Sequence, residues 1–338
     1  MCRTRRIAPV RPKAAVCPSF KNFSNQGRKP GLPGFFVGEQ MPSWNEVLTE
    51  IIGSQQVGGV DSVRRKYLAA LHAKTGRNVI AYYSGFLQKP GYSLSHVNDD
   101  DKNGFMNAVY DMDRSLGLDL ILHTPGGDMA ATESIVDYLR KMFGTNIRAV
   151  IPQMAMSAGT MISCACSSLL MGKQSNIGPF DPQFGGIPAY GVLEEFERAV
   201  EHVKKDPAAI PIWQAIIGKY HPTFLGSCEK AIEHAADMVG MWLVSGMFKD
   251  DANAVARADQ VVKALNDHKG TKTHARHLHA DDAKGFGLVV EDLEEDHELQ
   301  DLVLTVHHSY MHTFASTPAG KIIENHAGAA IIQFAQHP

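Results

Sequence analysis

Short apolar runs of strand length, each closed by a turn signal and followed by a helix-length segment, constrain this chain most strongly. Four such runs are NVIAYYSG at 78–85, LDLILHT at 118–124, IRAVIPQ at 147–153 and SSLLMG at 167–172. Buried strands that alternate with helices of about 10–20 residues are typical of an α/β fold with a largely parallel sheet. Such folds bind ligands in loops at the strand ends, so glycine-containing turns there are the first candidates for function.

Helices dominate the second half of the chain. Apolar residues recur at helical spacing over 192–205, 207–218, 227–248, 251–267 and 296–313. The run ADMVGMWLVSGMF is apolar nearly all round, which predicts burial in the core or in a subunit contact. We therefore expect one large domain over 41–330, with a helical portion at 192–330. The acidic run at 99–101 is interpreted as a solvated helix start rather than a metal site.

The composition excludes several classes of protein. With 44% hydrophobic and 20% charged residues, the chain is typical of a soluble globular enzyme and far from disorder. No apolar run reaches the roughly 18 residues that span a bilayer. The five cysteines form no CxxC pair and no even framework, so we expect a reduced, cytoplasmic protein without a membrane span.

The first forty residues differ from the rest of the chain. They hold eight of the 33 Lys and Arg residues but one of the 36 acidic residues, with many Pro and Gly. The remainder is therefore acidic, which argues against nucleic-acid binding. Residues 1–40 are open to three interpretations: a disordered basic extension, a targeting segment, or a misassigned start. We expect the ordered protein to begin at Met41, where MPSWNEVLTEIIG has helical spacing.

The turn HTPGGDM at 123–129 follows a predicted strand and precedes a predicted helix. Its paired glycines permit unusual backbone angles and let a substrate approach the main-chain amides. A helix N-terminus behind them adds partial positive charge. We predict that Pro125 and Gly126 contact substrate and that the Gly127 amide donates to an oxyanion. A plain strand-to-helix turn is the alternative.

The segment IPQMAMSAGTM at 151–161 places one serine among small residues directly after a strand. AMSAG resembles the G-x-S-x-G nucleophile elbow, with Ala155 in place of the first glycine and Gly159 as the second. We predict Ser157 as the nucleophile and the Ala158 amide as a second oxyanion donor, facing the same cavity as the Gly127 amide. The alternative is that small residues merely let a helix pack close to the sheet.

Three motifs, HTPGG, VIPQMAMSAGTMISCACSSLLMG and NIGPFDPQFGGIPAYGV, occur in an order and spacing that resembles the serine dehydrogenase proteinase family. That family is a distant relative of the Clp protease proteolytic subunit and of signal peptide peptidase A. The likeness runs from about Trp44 to Ile332. It implies a crotonase/Clp-protease-like ββα spiral core, homo-oligomerisation through the helical part, and peptidase chemistry on peptides or unfolded chains. Members commonly carry an N-terminal membrane helix, and none is visible here.

The resemblance also implies a catalytic triad in the chain order Ser, Asp, His. Carried over by motif, its members are Ser157, Asp181 in GPFDPQ and His274 in KTHARHLH. Pro179 and Pro182 flank the aspartate and stiffen its backbone, which suits a group that orients a histidine. An Asp before Pro is also an ordinary turn.

Other residues compete for the role of general base. His277 and His279 lie in the same segment as the triad histidine, and His123 precedes the paired glycines. Relatives of the signal-peptide-peptidase type use a Ser–Lys dyad, for which Lys173 and the pair Lys204–Lys205 are available. The pair lies in a charged predicted helix and is interpreted as surface.

A metal site is the remaining interpretation of the histidine segment. The spacing of His274, His277 and His279 lets two of them bind zinc, with Asp281 or Asp282 as a further ligand. No cysteine lies nearby and no HExxH occurs, so we expect neither a metal nor an organic cofactor.

These motifs together predict a serine hydrolase, most simply a serine endopeptidase. One alternative is a crotonase-type acyl-CoA hydratase, isomerase or thioesterase, which uses the same two-amide oxyanion hole and usually lacks the serine. Another is a non-catalytic oligomeric scaffold of the same fold. Nothing in the sequence resembles an ATPase module, so energy-dependent unfolding of substrates requires a separate protein.

Overall fold

The computed structural model describes residues 43–54, 59–266 and 275–335, so the predicted extension at 1–40 lies outside the described residues. The helices in this part of the chain are α1 (Trp44–Gly53), α2 (Gly59–Thr75), α3 (Asp101–Val109), α4 (Met129–Phe143), α5 (Ala158–Cys164), α6 (Ala189–Lys205), α7 (Ile210–Ile217), α8 (Phe224–Ser245), α9 (Ala254–Asn266), α10 (Ala280–Phe286) and α11 (His297–Ser316). The strands are β1 (Asn78–Ser84), β2 (Leu118–His123), β3 (Ile147–Ile151), β4 (Met154–Ala155), β5 (Ser168–Met171), β6 (Asn176–Ile177), β7 (Gln183–Phe184), β8 (Ile187–Pro188), β9 (Val290–Asp292), β10 (Ala319–Asn325) and β11 (Ala330–Phe334).

Seven strands form the central sheet, in the order β11-β10-β1-β2-β3-β5-β9. The neighbours from β1 to β9 pair in parallel, whereas β10 pairs antiparallel with both β1 and β11. The four predicted apolar runs are β1, β2, β3 and β5, which are almost wholly buried, as strands covered on both faces must be. The predicted α/β fold with a mostly parallel sheet is confirmed.

Helices cover both faces of the sheet. On β2, Leu118, Leu120 and Leu122 point into a core shared with α3, α4, α5, α8 and α9. Ile121, on the alternate positions, points into a second core shared with α1, α2 and α11. This alternation follows from the two-residue period of a strand, which sends successive side chains to opposite faces.

The C-terminal region combines the predicted helices with a β-hairpin that the sequence pattern did not indicate. α6, α7, α8, α9 and α11 match predicted segments, but the chain then adds β10 and β11 to the edge of the sheet beside β1. All seven positions of β10 are buried although they include Lys321, Glu324 and Asn325. Because these polar residues interrupt the apolar pattern, the sequence does not predict a buried strand here.

The apolar run at 236–248 lies mostly in α8. Met238, Val239, Trp242 and Leu243 are buried in the core, as predicted. Met241 is 63% exposed on the outer side of the same helix, so the run is not buried all round within one chain.

Two buried ion pairs connect β10 to the helices on its two faces. Lys321 and Asp101 are 1% and 0% exposed, with Nζ 2.8 Å from Oδ1. Arg64 and Glu324 are both fully buried, with Nε 3.0 Å from Oε2. The interpretation of the run at 99–101 as solvated is wrong for Asp101, because Asp101 is buried. Sequence spacing gives no sign of this burial, since the partner, Lys321, lies 220 residues away.

Buried histidines lie between β2 and α11. The ring centroid of His123 is 5.2 Å from that of His307 and 5.5 Å from that of Tyr83, and neither His123 nitrogen has a hydrogen-bond partner among the described residues. Burial lowers the pKa of His123 from 6.5 to about 3. Burial also lowers the pKa of His307, and the neighbouring His123 and His308 lower it further. Both rings are therefore neutral at pH 7.

Acidification is expected to destabilise the protein through these histidines. Because the folded-state pKa lies below 6.5, the unfolded chain binds more protons, and the free energy of unfolding falls as the pH drops from 6.5 towards 3. Urea unfolding at several pH values between 6.5 and 5 measures this slope. His123→Phe should reduce it by up to about 1.4 kcal/mol per pH unit. The control His297→Phe, at an exposed position, should keep the wild-type slope; an equal slope in both variants contradicts the assignment.

Candidate active site

The segment Pro125–Asp128, here called the glycine turn, connects the end of β2 to α4. Gly126 has a left-handed φ of 98°, which L side chains rarely adopt, and is buried. Gly127 is exposed. Asp128 then caps α4, because its Oδ1 accepts from the Ala131 amide at 2.8 Å. The predicted strand, turn and helix are all present.

Ser157 lies at a sharp turn between β4 and α5. Its φ and ψ are 51° and −113°, and Asp111 is the other non-glycine residue with positive φ in the described part of the chain. Such a conformation costs about 1–3 kcal/mol and persists where the surroundings enforce it. It is the strained strand-to-helix geometry that the elbow-like sequence predicts. Gly159 is required here, since an added Cβ would lie 2.6 Å from Thr124 Cγ2.

The glycine turn packs directly against Ser157. A Cβ added to Gly126 would lie 2.5 Å from Ser157 Cβ, 2.8 Å from the Met156 carbonyl oxygen and 3.0 Å from the Ala158 nitrogen. Thr124 fixes this approach, because its amide donates to Met154 O and its carbonyl accepts from the Met156 amide. The two segments that the sequence singled out therefore meet.

Two backbone amides are free at this junction. Among the described residues, neither the Gly127 nor the Ala158 amide donates a hydrogen bond, and the Ser157 hydroxyl has no partner. Ala158 is the first residue of α5, where an amide has no intrahelical acceptor. The Ala158 amide directly follows the half-buried Ser157, and the Gly127 amide lies one residue beyond the glycine that contacts Ser157, so both are candidate donors to a carbonyl oxygen.

A third segment braces the glycine turn, and sequence reasoning missed it. Residues His96–Asn98, here called the bracing segment, run beside it: the Val97 amide donates to Gly126 O and the Asp128 amide donates to Val97 O, each at 2.8 Å. A Cβ on Gly127 would lie 2.3 Å from the Val97 nitrogen. The sequence marks this stretch merely as a loop, so no residue type in it signals the contact.

Asp181 lies on a segment that packs beside the serine. β6 pairs in parallel with β4, and an added Cβ at Gly178 would lie 2.5 Å from Met156 Cε. Asp181 follows three residues later and is 1% exposed. The structure thus brings the predicted aspartate's segment to the residue that precedes Ser157.

His274, the predicted triad histidine, lies outside the described residues. The described chain resumes at Ala275, and Leu278 exchanges two hydrogen bonds of 2.9 Å with Ile177 in β6. His277 and His279 are exposed, and the His279 amide donates to Asp282 at the start of α10.

The remaining base candidates face elsewhere. His123 packs among aromatic rings, in tilted and edge-on contacts, on the α11 side of the sheet. Lys173 is exposed and lines a surface cavity with His279. Lys204 pairs with Glu201 on α6, where Lys205 is also exposed. Within the described ranges, no three His, Cys, Asp or Glu side chains are grouped to hold a metal.

The fold and this junction define a class of α/β protein in which a serine on a strained turn faces a glycine turn from the neighbouring strand. A family model described as ClpP-like SDH-type serine proteinase matches residues 54–311. The chain belongs to this family, and its fold is ClpP-like.

Two relatives come from the archaeon Methanocaldococcus jannaschii. Uncharacterized protein MJ1495 is 28% identical over 205 residues, which span 61% of this chain and 62% of the relative. Uncharacterized protein MJ0137 is 28% identical over 233 residues, 68% of this chain and 73% of the relative. Their names assign no activity. In the described part of the chain, no helix has the length and apolarity to cross a membrane.

Replacing Gly126 tests how tightly the two turns are packed. Gly126→Ala places a methyl group against Ser157 Cβ and the Met156 carbonyl in addition to straining φ. Gly185→Ala is the matched control, because Gly185 also has a positive φ, 59°, but open space around it. We expect urea unfolding to show a cost of about 1 kcal/mol for the control. Gly126→Ala should lose about 1–3 kcal/mol more. Equal losses would show that the junction is loosely packed.

Proposed function

We propose that the protein is a serine peptidase that cleaves peptides or unfolded chains, with Ser157 as its nucleophile. The observation that carries the proposal is the contact of Gly126 with Ser157, together with the neighbouring Gly127 and Ala158 amides, which donate to no acceptor among the described residues. Membership of a serine proteinase family supports it as well. No metal or organic cofactor takes part in the proposed reaction.

In the proposed mechanism, Ser157 Oγ attacks the scissile carbonyl carbon while a histidine accepts its proton. The carbonyl oxygen becomes an oxyanion held by the Gly127 and Ala158 amides, each worth about 3 kcal/mol by comparison with other oxyanion holes. The intermediate then expels the amine, which takes the proton from the histidine, and leaves an acyl-enzyme. Water, deprotonated by the same histidine, attacks the ester and restores the serine.

We assign the base to His274 and its orienting carboxylate to Asp181. The support for this assignment is the position of the flanking chain: Leu278 pairs with Ile177, and the Arg276 carbonyl lies 3.5 Å from the position of an added Cβ at Gly178. His274 directly precedes this stretch, and Asp181 follows the β6 segment. Pro125 and Gly126 are the residues we propose to line the substrate path.

We further propose that the chain assembles as a homo-oligomer through its helical part and works in the cytoplasm. Met241, exposed on α8, supports a subunit contact there. Among the described cysteines, Cys164, Cys166 and Cys228 form no disulfide, which agrees with a reducing compartment.

A fluorophosphonate probe tests the nucleophile. The probe should label the wild-type protein covalently, because it reacts with an activated serine hydroxyl, and Ser157→Ala should take up none. Ser163→Ala is the control, since Ser163 is buried in the same helix and donates to Gly159 O. Labelling by intact-protein mass spectrometry gives the result. Absence of labelling in the wild type contradicts the proposal and favours a crotonase-type acyl-CoA enzyme or a non-catalytic scaffold.

The base is tested by the rate of the same labelling. His274→Ala should slow it by about 10²- to 10⁴-fold, the usual contribution of a general base. Asp181→Asn should also slow it while leaving the protein folded, because the amide keeps the size of the carboxylate. His277→Ala and His279→Ala are controls and should react at the wild-type rate. A loss confined to Lys173→Ala instead would indicate a Ser–Lys dyad.

A further inference from the structure

The buried ion pair of Lys321 and Asp101, here called the loop-side pair, has more contacts than a pair that merely joins β10 to α3. The Lys321 ammonium donates to both Asp101 oxygens, at 2.8 and 3.0 Å, and to the His96 carbonyl at 2.7 Å. Its three protons therefore have three acceptors. Asp101 Oδ2 also accepts from the Asn98 amide at 3.0 Å and from the Tyr82 hydroxyl at 2.7 Å.

Both members of the loop-side pair thus hold the bracing segment, one through the His96 carbonyl and the other through the Asn98 amide. The residue between these two contacts is Val97, whose own amide and carbonyl bind Gly126 O and the Asp128 amide. A continuous chain of hydrogen bonds consequently runs from the buried charges to the two sides of Gly127.

The burial of the charges makes this geometry obligatory. Both side chains are excluded from water, and burial lowers the pKa of Lys321 while Asp101 opposes that effect. A buried ammonium that loses an acceptor has no water to replace it, so displacing the bracing segment is strongly disfavoured. Neutral hydrogen bonds to an exposed loop would hold it less firmly.

We propose that Lys321 and Asp101 are positioning residues that hold the Gly127 amide in place to receive the oxyanion. The inference rests on the proposed function, because it assigns that amide its role. Neither residue touches the reacting atoms; they act through the bracing segment and the glycine turn.

The other face of β10 provides a matched control. Arg64 and Glu324, here called the opposite pair, are equally buried, and Glu324 also accepts from the buried Tyr310 hydroxyl at 3.1 Å. Arg64 has further contacts with Asp61 and Thr313, on the side of α2 and α11. The opposite pair therefore repeats the chemistry of the loop-side pair on the other face of β10, with a tyrosine on its carboxylate and with Arg65 as a second cation on Glu324.

The experiment compares Lys321→Met/Asp101→Asn with Arg64→Met/Glu324→Gln, using hydrogen exchange and fluorophosphonate labelling. Exchange should accelerate in peptides that cover 95–98 and 126–128 in the first variant and not in the second. The maximal labelling rate of the first variant should fall about tenfold or more, with an unchanged half-saturating probe concentration, because one oxyanion donor contributes about 10²- to 10³-fold. The second variant should label at close to the wild-type rate.

Tyr82→Phe and Tyr310→Phe repeat the comparison should either double variant fail to fold. Each removes a single buried hydroxyl: Tyr310→Phe removes it from Glu324, and Tyr82→Phe removes it from Asp101 and also from the Thr124 side chain, so exchange at 95–98 is the readout that reports on Asp101. Tyr82→Phe should loosen 95–98 and slow labelling, whereas Tyr310→Phe should do neither. Equal exchange at 126–128 in the matched variants, or equal labelling rates, overturns the inference. If the wild type takes up no probe, the proposed function fails, and the exchange data alone decide whether the pair holds the glycine turn.

Discussion

The main-chain pairing of Thr124 with β4 is the interaction on which the candidate site depends. Parallel strands end at the same edge of a sheet, but that alone leaves their loops several ångströms apart. Here the amide and carbonyl of Thr124 bind residues on both sides of Ala155, so the glycine turn is drawn onto the serine turn. The small residues around Ser157, for which close helix packing was the alternative interpretation, permit the glycine turn to approach the serine turn.

Much of the fold follows from local pattern. The parallel strands β1, β2, β3 and β5 are apolar, lie between turn signals and alternate with amphipathic helices, so period and composition identify them; the short parallel strand β9 includes Glu291 and Asp292 and was not predicted. The hairpin of β10 and β11 does not follow from local pattern, because the buried positions of β10 include a lysine, a glutamate and an asparagine whose partners are far away in sequence. Apolar periodicity detects burial that is driven by the transfer of apolar side chains from water. It does not detect the burial of a charged side chain, which depends on a specific partner of opposite charge.

The candidate site divides in the same way. Ser157 and the paired glycines were predictable because a tight turn restricts residue size within a few positions, which is a local rule. Asp101 and Lys321 were not, since a carboxylate in an acidic run is usually solvated, and both Asp99 and Asp100 are indeed exposed. The contact of Val97 with the glycine turn could not be predicted either, because backbone hydrogen bonds do not depend on residue type.

Strain and support balance at this junction. Ser157 is held in a conformation that costs about 1–3 kcal/mol, and the hydrogen bond from the Gly159 amide to Met156 O closes its turn. Neighbours that leave no room to relax also hold it in place: Gly126 on one side, Gly159 against Thr124 on another, and the bracing segment behind the glycine turn. Buried charges behind the glycine turn hold it more firmly than apolar packing would. Apolar side chains tolerate small shifts, whereas a desolvated ammonium with three acceptors does not. The buried ion pair of Lys321 and Asp101 beside β10 therefore provides the rigid support that a strained, preorganised site requires.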